Sequence, residues 1–430
     1  MALLNLFARW MKNRDANVAL IFALSSVPIT FLTGMGVDYT LAIDRQVQLN
    51  GAADAAVLAA ITPTMMTQTP DVAAQAATST FNAEAASIAG ITYQPSAVNV
   101  TVTTSGAKRV VTLAYAAQSQ NTFAALLKMN TIAISGGSQG TGGQAPNIDF
   151  YLLLDDSPSM AIAATQAGIN TMVSNTSSQG GCAFGCHETH PSSDNLGNPG
   201  GVDNYALARN LGVPLRMDLV KAAAQNLMST AQTTESTTNA SYRMAIYTFD
   251  QGFNTIATLT SSLSTAQTQA GNIALQTVYA NNWLTSSNNN KDTDSNFDNA
   301  ATSISTIMPN PGSGTSIAGD KPQEVLFFVT DGVEDEMVGG SRVQSLMNTA
   351  WCSQVKARGI RIAVLYTVYL PLPTNSWYNT YISPFQANIG STLQSCASPG
   401  LYYAVETGGD ISAALATLFQ YSVQSAYLSQ

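Results

Sequence analysis

Charge is scarce in this chain. Only 10% of its 430 residues are Asp, Glu, Lys or Arg, against about a quarter in ordinary soluble domains. The 17 basic residues are outnumbered by 26 acidic ones, for a formal charge of −9. No basic stripe is available to follow a nucleic-acid backbone, so nucleic acid is excluded as a partner. Histidine is rarer still: the chain has 2, His187 and His190, in one short segment. A Ser–His hydrolase finds little support, and neither G-x-S-x-G nor the phosphate-cradling G-x-x-x-x-G-K-[ST] occurs. The expectation is no enzyme and no small-molecule substrate. Long apolar runs are absent with one exception, which excludes a polytopic membrane protein. A hydrophobic content of 45% excludes a wholly disordered chain. The length leaves room for roughly three domains.

The exception is residues 16–37, ANVALIFALSSVPITFLTGMGV. As a helix this run spans about 33 Å, enough to cross a bilayer. Arg9, Lys12 and Arg14 precede it; Asp38 and Asp44 follow, against Arg45. The positive-inside rule places residues 1–15 in the cytoplasm and the bulk of the chain outside it. A cleaved signal peptide is the rival reading. The run is longer than a usual signal core, and no A-x-A site follows closely, which favours an uncleaved single-pass anchor.

Cysteine is sparse, with 4 in the chain: Cys182, Cys186, Cys352 and Cys396. An even count outside the cytoplasm predicts two disulfides with three possible connectivities. Proximity in sequence favours Cys182–Cys186 and Cys352–Cys396.

What is plentiful is Ala, Ser, Thr, Asn and Gln, and their patterning changes along the chain. Residues 38–135 read as a helical stem and small α+β unit: an amphipathic helix to residue 60, a break over 61–70, a second Ala-rich helix over 71–89, alternating strands at 97–104 and 109–115 flanking SGAK, a short helix at 122–128 and a strand at 131–135. Residues 136–147, GGSQGTGGQAPN, read as a flexible linker. From residue 148 to 430 strands alternate with helices, the pattern of a doubly wound, mostly parallel α/β sheet. Continuous apolar runs predict strands at 148–154, 242–249, 324–330, 361–366 and 401–405. Helices are predicted at 216–232, 261–279, 299–308, 343–358 and 410–426. Polar insertions are predicted near 174–214 and 285–298.

The first strand of that region ends in D-x-S-x-S: Asp155, Ser157 and Ser159. In open α/β sheets ligands bind beyond the carboxyl ends of the strands. A carboxylate and two hydroxyls on one tight loop suit a hard divalent cation that prefers oxygen. A second buried run, EVLFFVTDG, ends at Asp331, and GSGTS supplies Thr315 in a glycine-rich loop. With these motifs, residues 148–428 resemble a von Willebrand factor A domain. The resemblance implies a metal-ion-dependent adhesion site built from Asp155, Ser157, Ser159, Thr315 and Asp331. Mg²⁺ is the first choice of ion, with Mn²⁺ and Ca²⁺ as alternatives, and an acidic partner side chain would fill the open position. Pro158 departs from the family's usual Gly and stiffens the loop. Asp156 is a further carboxylate that strand alternation should point away.

The amino-terminal residues carry a second resemblance. The basic start, the N-x-A-L-I-F-A-L run from Asn17, the V-D-Y of Val37–Tyr39 and the stem containing Arg45, Asn50 to Asp54 and Ala60 look like TadG-like proteins of the tight-adherence (Tad/Flp) pilus machinery. Such proteins pair this anchor with a carboxy-terminal von Willebrand A domain. The resemblance implies a membrane-anchored accessory or structural component of pilus assembly in a bacterial envelope, with pilus-assembly or pilin-like protein partners. Two rivals stay open: a surface adhesin for host or matrix ligands, and an envelope scaffold without a working metal site.

Other segments carry weaker signals. GCAFGCHETH (residues 181–190) reads as a disulfide-closed loop, with a zinc site or haem attachment as alternatives. KDTDSNFD (residues 291–298) begins like a calcium loop, but Phe297 and Ser303 stand where glycine and glutamate are needed. Glu334, Asp335 and Glu336 read as a solvated acidic loop. Trp377, Tyr378 and Tyr381 read as either core or partner surface.

Overall fold

The computed structural model describes residues 14–105, 108–143, 145–192, 196–279, 295–373 and 375–428. The basic residues Arg9 and Lys12, the SGAK turn at Gly106 and Ala107, and most of the predicted insertion at 285–298 lie outside them. The chain divides into two compact units, residues 1–143 and 144–430.

The first unit is built on one helix, α1 (Arg14–Ala60), of 47 residues, about 70 Å long at 1.5 Å per residue. The apolar run and the stem are therefore continuous, with Pro28 tolerated inside the helix. Between residues 18 and 37 its large apolar side chains face outward, as Val18, Phe22, Leu24 and Leu32 show. Beyond Asp38 one face turns inward through Leu49, Ala53, Ala56 and Ala60. The helix stops at the predicted break. There Arg109, fully buried, donates to the carbonyls of Met65 (2.6 Å) and Gln68 (2.6 Å). Helix α2 (Pro70–Ala85) follows, with Thr69 accepting from the Val72 amide at its start.

Four strands complete this unit: β1 (Ile91–Thr92), β2 (Val98–Ser105), β3 (Lys108–Gln120) and β4 (Thr131–Gly143). The other three all pair antiparallel with β3, which alternates buried and exposed residues along its length. The predicted glycine-rich linker at 136–147 is thereby corrected: residues 136–143 form the second half of β4, hydrogen-bonded to β3 from Gln120–Thr131 to Lys108–Gly143. The glycines serve close packing rather than freedom. A Cβ on Gly140 would stand 2.5 Å from Val57 Cγ1 of α1, and one on Gly142 would stand 2.7 Å from Ile61 Cβ. Only glycine lets the helix lie this near the strand.

The second unit opens with β5 (Ile148–Asp155), followed by α3 (Gln166–Asn175), α4 (Asn204–Asn210) and α5 (Arg216–Thr238). Next come β6 (Tyr242–Phe249), β7 (Phe253–Thr260), α6 (Leu263–Ala270), α7 (Phe297–Ile307) and β8 (Gln323–Thr330). A hairpin of β9 (Val333–Val338) and β10 (Ser341–Leu346) precedes α8 (Ala350–Ala357), β11 (Arg361–Thr367), α9 (Ser383–Cys396), β12 (Tyr402–Val405) and α10 (Ile411–Leu428). The sheet runs β12-β11-β8-β5-β6-β7 and is parallel except for the antiparallel edge strand β7.

Helices cover both faces, so successive strand residues enter different cores. Phe150, Leu152 and Leu154 meet Leu227 of α5 and Phe419 of α10. Tyr151 and Leu153 share the opposite cluster with Ile304 of α7, Trp351 of α8 and Leu393 of α9. This is the doubly wound arrangement expected from the sequence. Three expectations are corrected. The helix predicted at 261–279 ends at Ala270 because Gly271 and Asn272 turn the chain. The stretch predicted as helix 343–358 begins as β10 and becomes helical only at Ala350. The insertion at 174–214 is not simply a polar loop, since it carries α4 and contributes Ala183, Leu207, Ala208 and Val213 to a buried cluster with Ile162, Met172 and Leu215. Edge strand β7 and helix α9 escaped the sequence reading.

Candidate functional site

Asp155 is the last residue of β5 and Asp331 directly follows β8, its neighbour in the sheet, so the two carboxylates arrive side by side at the carboxyl end. Both are fully buried. Asp155 Oδ1 accepts from the Ser157 amide at 3.1 Å, and Oδ2 accepts from the Thr330 hydroxyl at 2.6 Å. Ser157 and Ser159 hold their hydroxyls 3.0 Å apart, on a loop that Pro158 starts as a short 3₁₀ turn. The Ser159 hydroxyl also approaches Asp331. Asp331 Oδ1 receives a long contact from the Val333 amide at 3.4 Å, while Oδ2 is buried without a hydrogen-bond donor.

The electrostatics follow from this crowding. Burial, reinforced by the Asp331 charge, pushes the Asp155 carboxyl up to about 7; the bonds from Ser157 and Thr330 oppose the shift. Burial likewise raises Asp331, opposed by Arg216 and the Ser159 hydroxyl. Asp156 is buried as well, with Thr248 and Asp250 as its main electrostatic neighbours. Burial, with the Asp250 charge second, pushes it up to about 8.

Thr315 is not part of this assembly. Its amide and hydroxyl both donate to Asp320 Oδ2, at 2.7 and 2.6 Å. The adjacent Gly314 carbonyl accepts from Asn147, just before β5. The loop therefore sits at the amino end of the sheet. Asp155 lies seven residues further along β5 than Ile148, about 23 Å at 3.3 Å per residue. A residue immediately preceding a parallel strand stands at the amino end of the sheet, opposite the binding crevice. The structure brings together Asp155, Ser157, Ser159 and Asp331.

Arg216 was missed. It is the first residue of α5 and is buried, with its Nη1 atom 3.8 Å from Asp331 Oδ2 and its Nη2 atom donating to the Val368 carbonyl at 3.0 Å. A signal existed: a cation at a helix amino terminus opposes the macrodipole and needs another reason to be there. The extended residues Gln276 to Val278 also reach this rim, where the Gln276 amide donates to the Asp156 carbonyl at 2.8 Å. No motif announced them.

The cysteine expectations divide. Cys352 of α8 and Cys396 of α9 form a disulfide with Cα atoms 5.2 Å apart. No disulfide joins Cys182 to Cys186. Between them the chain runs extended, with Ala163 donating to the Ala183 carbonyl and Gly185 to that of Ala161. Four extended residues cover about 13 Å, whereas a disulfide tolerates Cα separations of only about 7 Å. His187 hydrogen-bonds Asp203 at 2.8 Å, and His190 stacks on Tyr279. Among the described residues no group of three or more His, Cys, Asp or Glu is placed to hold a metal, so the zinc alternative for residues 181–190 finds no support. Asp292 and Asp294 lie outside the described residues.

The acidic stretch after Asp331 is a hairpin, not a solvated loop: Glu334 and Asp335 are buried, and Arg342 and Gln344 donate to Asp335. Tyr378 is core, whereas Trp377 and Tyr381 are exposed.

The donors at the carboxyl end are two carboxylates and two hydroxyls, all oxygen, and one buried carboxylate oxygen has no hydrogen-bond donor. That set fits a hard cation that retains water among its ligands.

Residues 16–78 match the family model of the Flp pilus-assembly TadE/G-like proteins. No curated protein matches the chain. Among solved structures, BatB from Bacteroides thetaiotaomicron is 12% identical, with 65% of this chain and 100% of that one covered at a TM-score of 0.35. The vWF domain of the type V pili tip protein Mfa5 from Porphyromonas gingivalis is 9% identical, covering 66% and 96% at 0.35. Proximal thread matrix protein 1 from the mussel byssus, with a zinc-occupied MIDAS motif, is 12% identical, covering 66% and 46% at 0.31. The amino-terminal residues are therefore similar to the Flp pilus-assembly TadE/G-like proteins over positions 16–78, and the second unit that follows is a doubly wound, mostly parallel α/β sheet.

Proposed function

We propose that this protein is a membrane-anchored accessory component of Flp pilus assembly, which captures an acidic side chain of a protein partner through a divalent cation. The supporting observation is the convergence of Asp155, Ser157, Ser159 and Asp331 at the carboxyl end of the sheet, with Asp331 Oδ2 buried and lacking a hydrogen-bond donor. These four residues would hold the ion, directly or through water, and a bound Mg²⁺ would offer an open coordination position. The role is recognition, not catalysis. In this proposal α1 spans the cytoplasmic membrane with residues 1–15 inside and the rest outside.

Calorimetric titration of the full chain with Mg²⁺ and Mn²⁺, beside Asp155→Ala, tests the site. Saturable binding lost in the variant is expected; no binding to the folded parent chain rejects it. Protease added outside intact spheroplasts tests the orientation, with digestion of the domain expected.

Arg216 favours a second reading. Its guanidinium already supplies positive charge 3.8 Å from Asp331, which suits a scaffold whose site needs no ion. Pilus assembly left intact by Asp155→Ala would favour that reading.

A further inference from the structure

The connection between β3 and β4 has no role in the cation site, yet it exposes four large apolar side chains within seven residues. Leu126 is 74% exposed, Met129 55%, Leu127 51% and Phe123 38%. Such a cluster on a short polar-flanked tip marks an interaction surface rather than scattered surface hydrophobics.

Its position in the first unit names the partner. A Cβ placed on Gly34 of α1 would stand 2.6 Å from Phe123 Cγ, so the Phe123 ring lies directly against the helix at Gly34. Asp38 fixes the same tip from the next helical turn. Its carboxylate accepts from the amides of Thr122 (2.8 Å), Phe123 (2.9 Å) and Ala124 (2.7 Å). Gly34 belongs to the apolar run that ends at Val37, three residues or about 5 Å inside its edge. The exposed face of the tip is therefore continuous with the lipid-facing surface of α1 through Val27 and Val37, exposed residues that share the Gly34 side of the helix. Lys128, exposed and held at φ 65°, has a stem long enough to bring its ammonium to headgroup level.

We propose that residues 123–129 insert into the bilayer that α1 spans, burying Phe123, Leu126, Leu127 and Met129 at the headgroup–acyl boundary. Interfacial apolar surfaces lie about 5–10 Å deep, which agrees with the level of Gly34. The tip thereby fixes the height of the first unit on the membrane and restrains its rotation about the α1 axis. Asp38 sits near the boundary with its charge satisfied by three amides, so no bare carboxylate faces lipid. The proposal rests on the reading of α1 as a membrane anchor.

The test uses the full chain reconstituted in vesicles of phosphatidylcholine and phosphatidylglycerol carrying brominated acyl chains. Leu126→Trp and Leu127→Trp place reporters on the exposed tip, where neither substitution disturbs packing. Leu24→Trp reports on the anchor, and Thr101→Trp on β2 serves as an aqueous control. Emission is read as the difference from the parent chain, which has 4 tryptophans. The expected result is a blue-shifted, bromine-quenched signal from the tip reporters and from Leu24→Trp, with none from Thr101→Trp. Quenching at Leu24→Trp with water-like, unquenched emission from both tip reporters overturns the proposal and leaves the anchor standing. Absence of quenching at Leu24→Trp as well overturns the anchor reading and the insertion with it.

Discussion

A carboxyl group buried beside another carboxylate holds its proton more tightly than the same group in an unfolded chain. Asp155, pushed up to about 7, and Asp156, up to about 8, both behave this way. Glu324, raised to about 8 by burial and the Asp149 charge, adds to them. For each, the folded state binds more protons above the ordinary carboxylate range. Their stabilisation is complete below about pH 4 and is lost as pH rises through 7 to 8. In chelator, the melting midpoint of the domain should therefore fall between about pH 5 and pH 8, and Mg²⁺ should restore it most at the higher pH. Asp155→Asn should flatten that slope; an unchanged slope removes Asp155 from the account. Arg216 acts on the same pair. Truncation of a buried cation that faces a carboxylate costs about 3–5 kcal/mol, so Arg216→Met should lower urea stability by that order at pH 8. If the cation site is real, saturating Mg²⁺ recovers part of the loss; if the scaffold reading holds, it recovers none.

At the scale of elements, burial on two faces decides which segments are rigid. Leu152 lies in the centre of β5, is fully buried and faces α5 and α10. Leu152→Ala should cost about 2–5 kcal/mol in denaturant titration, from lost transfer energy plus the remaining cavity. Strand β4 fails in the opposite sense. Its glycines are spaces that α1 already fills, so Gly140→Leu overpacks the interface and should destabilise the first unit by about 1–3 kcal/mol. An exposed position such as Thr141, one residue away and facing outward, should accept Leu with little change. Equal effects at both positions would contradict the close approach of helix and strand. This element also shows where composition misleads: GGSQGTGG has the content of a linker and the hydrogen bonding of a strand. The sequence carries the glycines but not the 13-residue partner strand that pairs with them.

For the whole molecule, two units with separate cores should respond separately to perturbation. The Cys352–Cys396 bridge closes a separation of 44 residues in the second unit. Its loss through Cys352→Ser should cost about 2–5 kcal/mol there. Hydrogen exchange in detergent should show faster exchange around β11, α8 and α9 while β3 and β4 keep their protection. Simultaneous loss of protection in β3 and β4 would mean that the units do not unfold independently.

Much of this was present in the linear order of residues. Continuous apolar runs located five of the six strands of the large sheet to within a residue at each end, since a parallel strand buried on both faces must be apolar throughout. The uncharged 22-residue run located the outward-facing half of α1, and Asp155, Ser157, Ser159 and Asp331 were legible because strand ends and tight loops leave local signatures. Tertiary structure decided everything that depends on which distant segments meet. It placed Thr315 at the far end of the sheet, because sequence proximity to a strand does not say which end a loop occupies. Cys182 and Cys186 stayed apart because the backbone between them is committed to an extended pairing with residues 161–163. Arg216 came against Asp331 from a helix that begins more than a hundred residues earlier, a juxtaposition set by the winding of the sheet and by no local pattern.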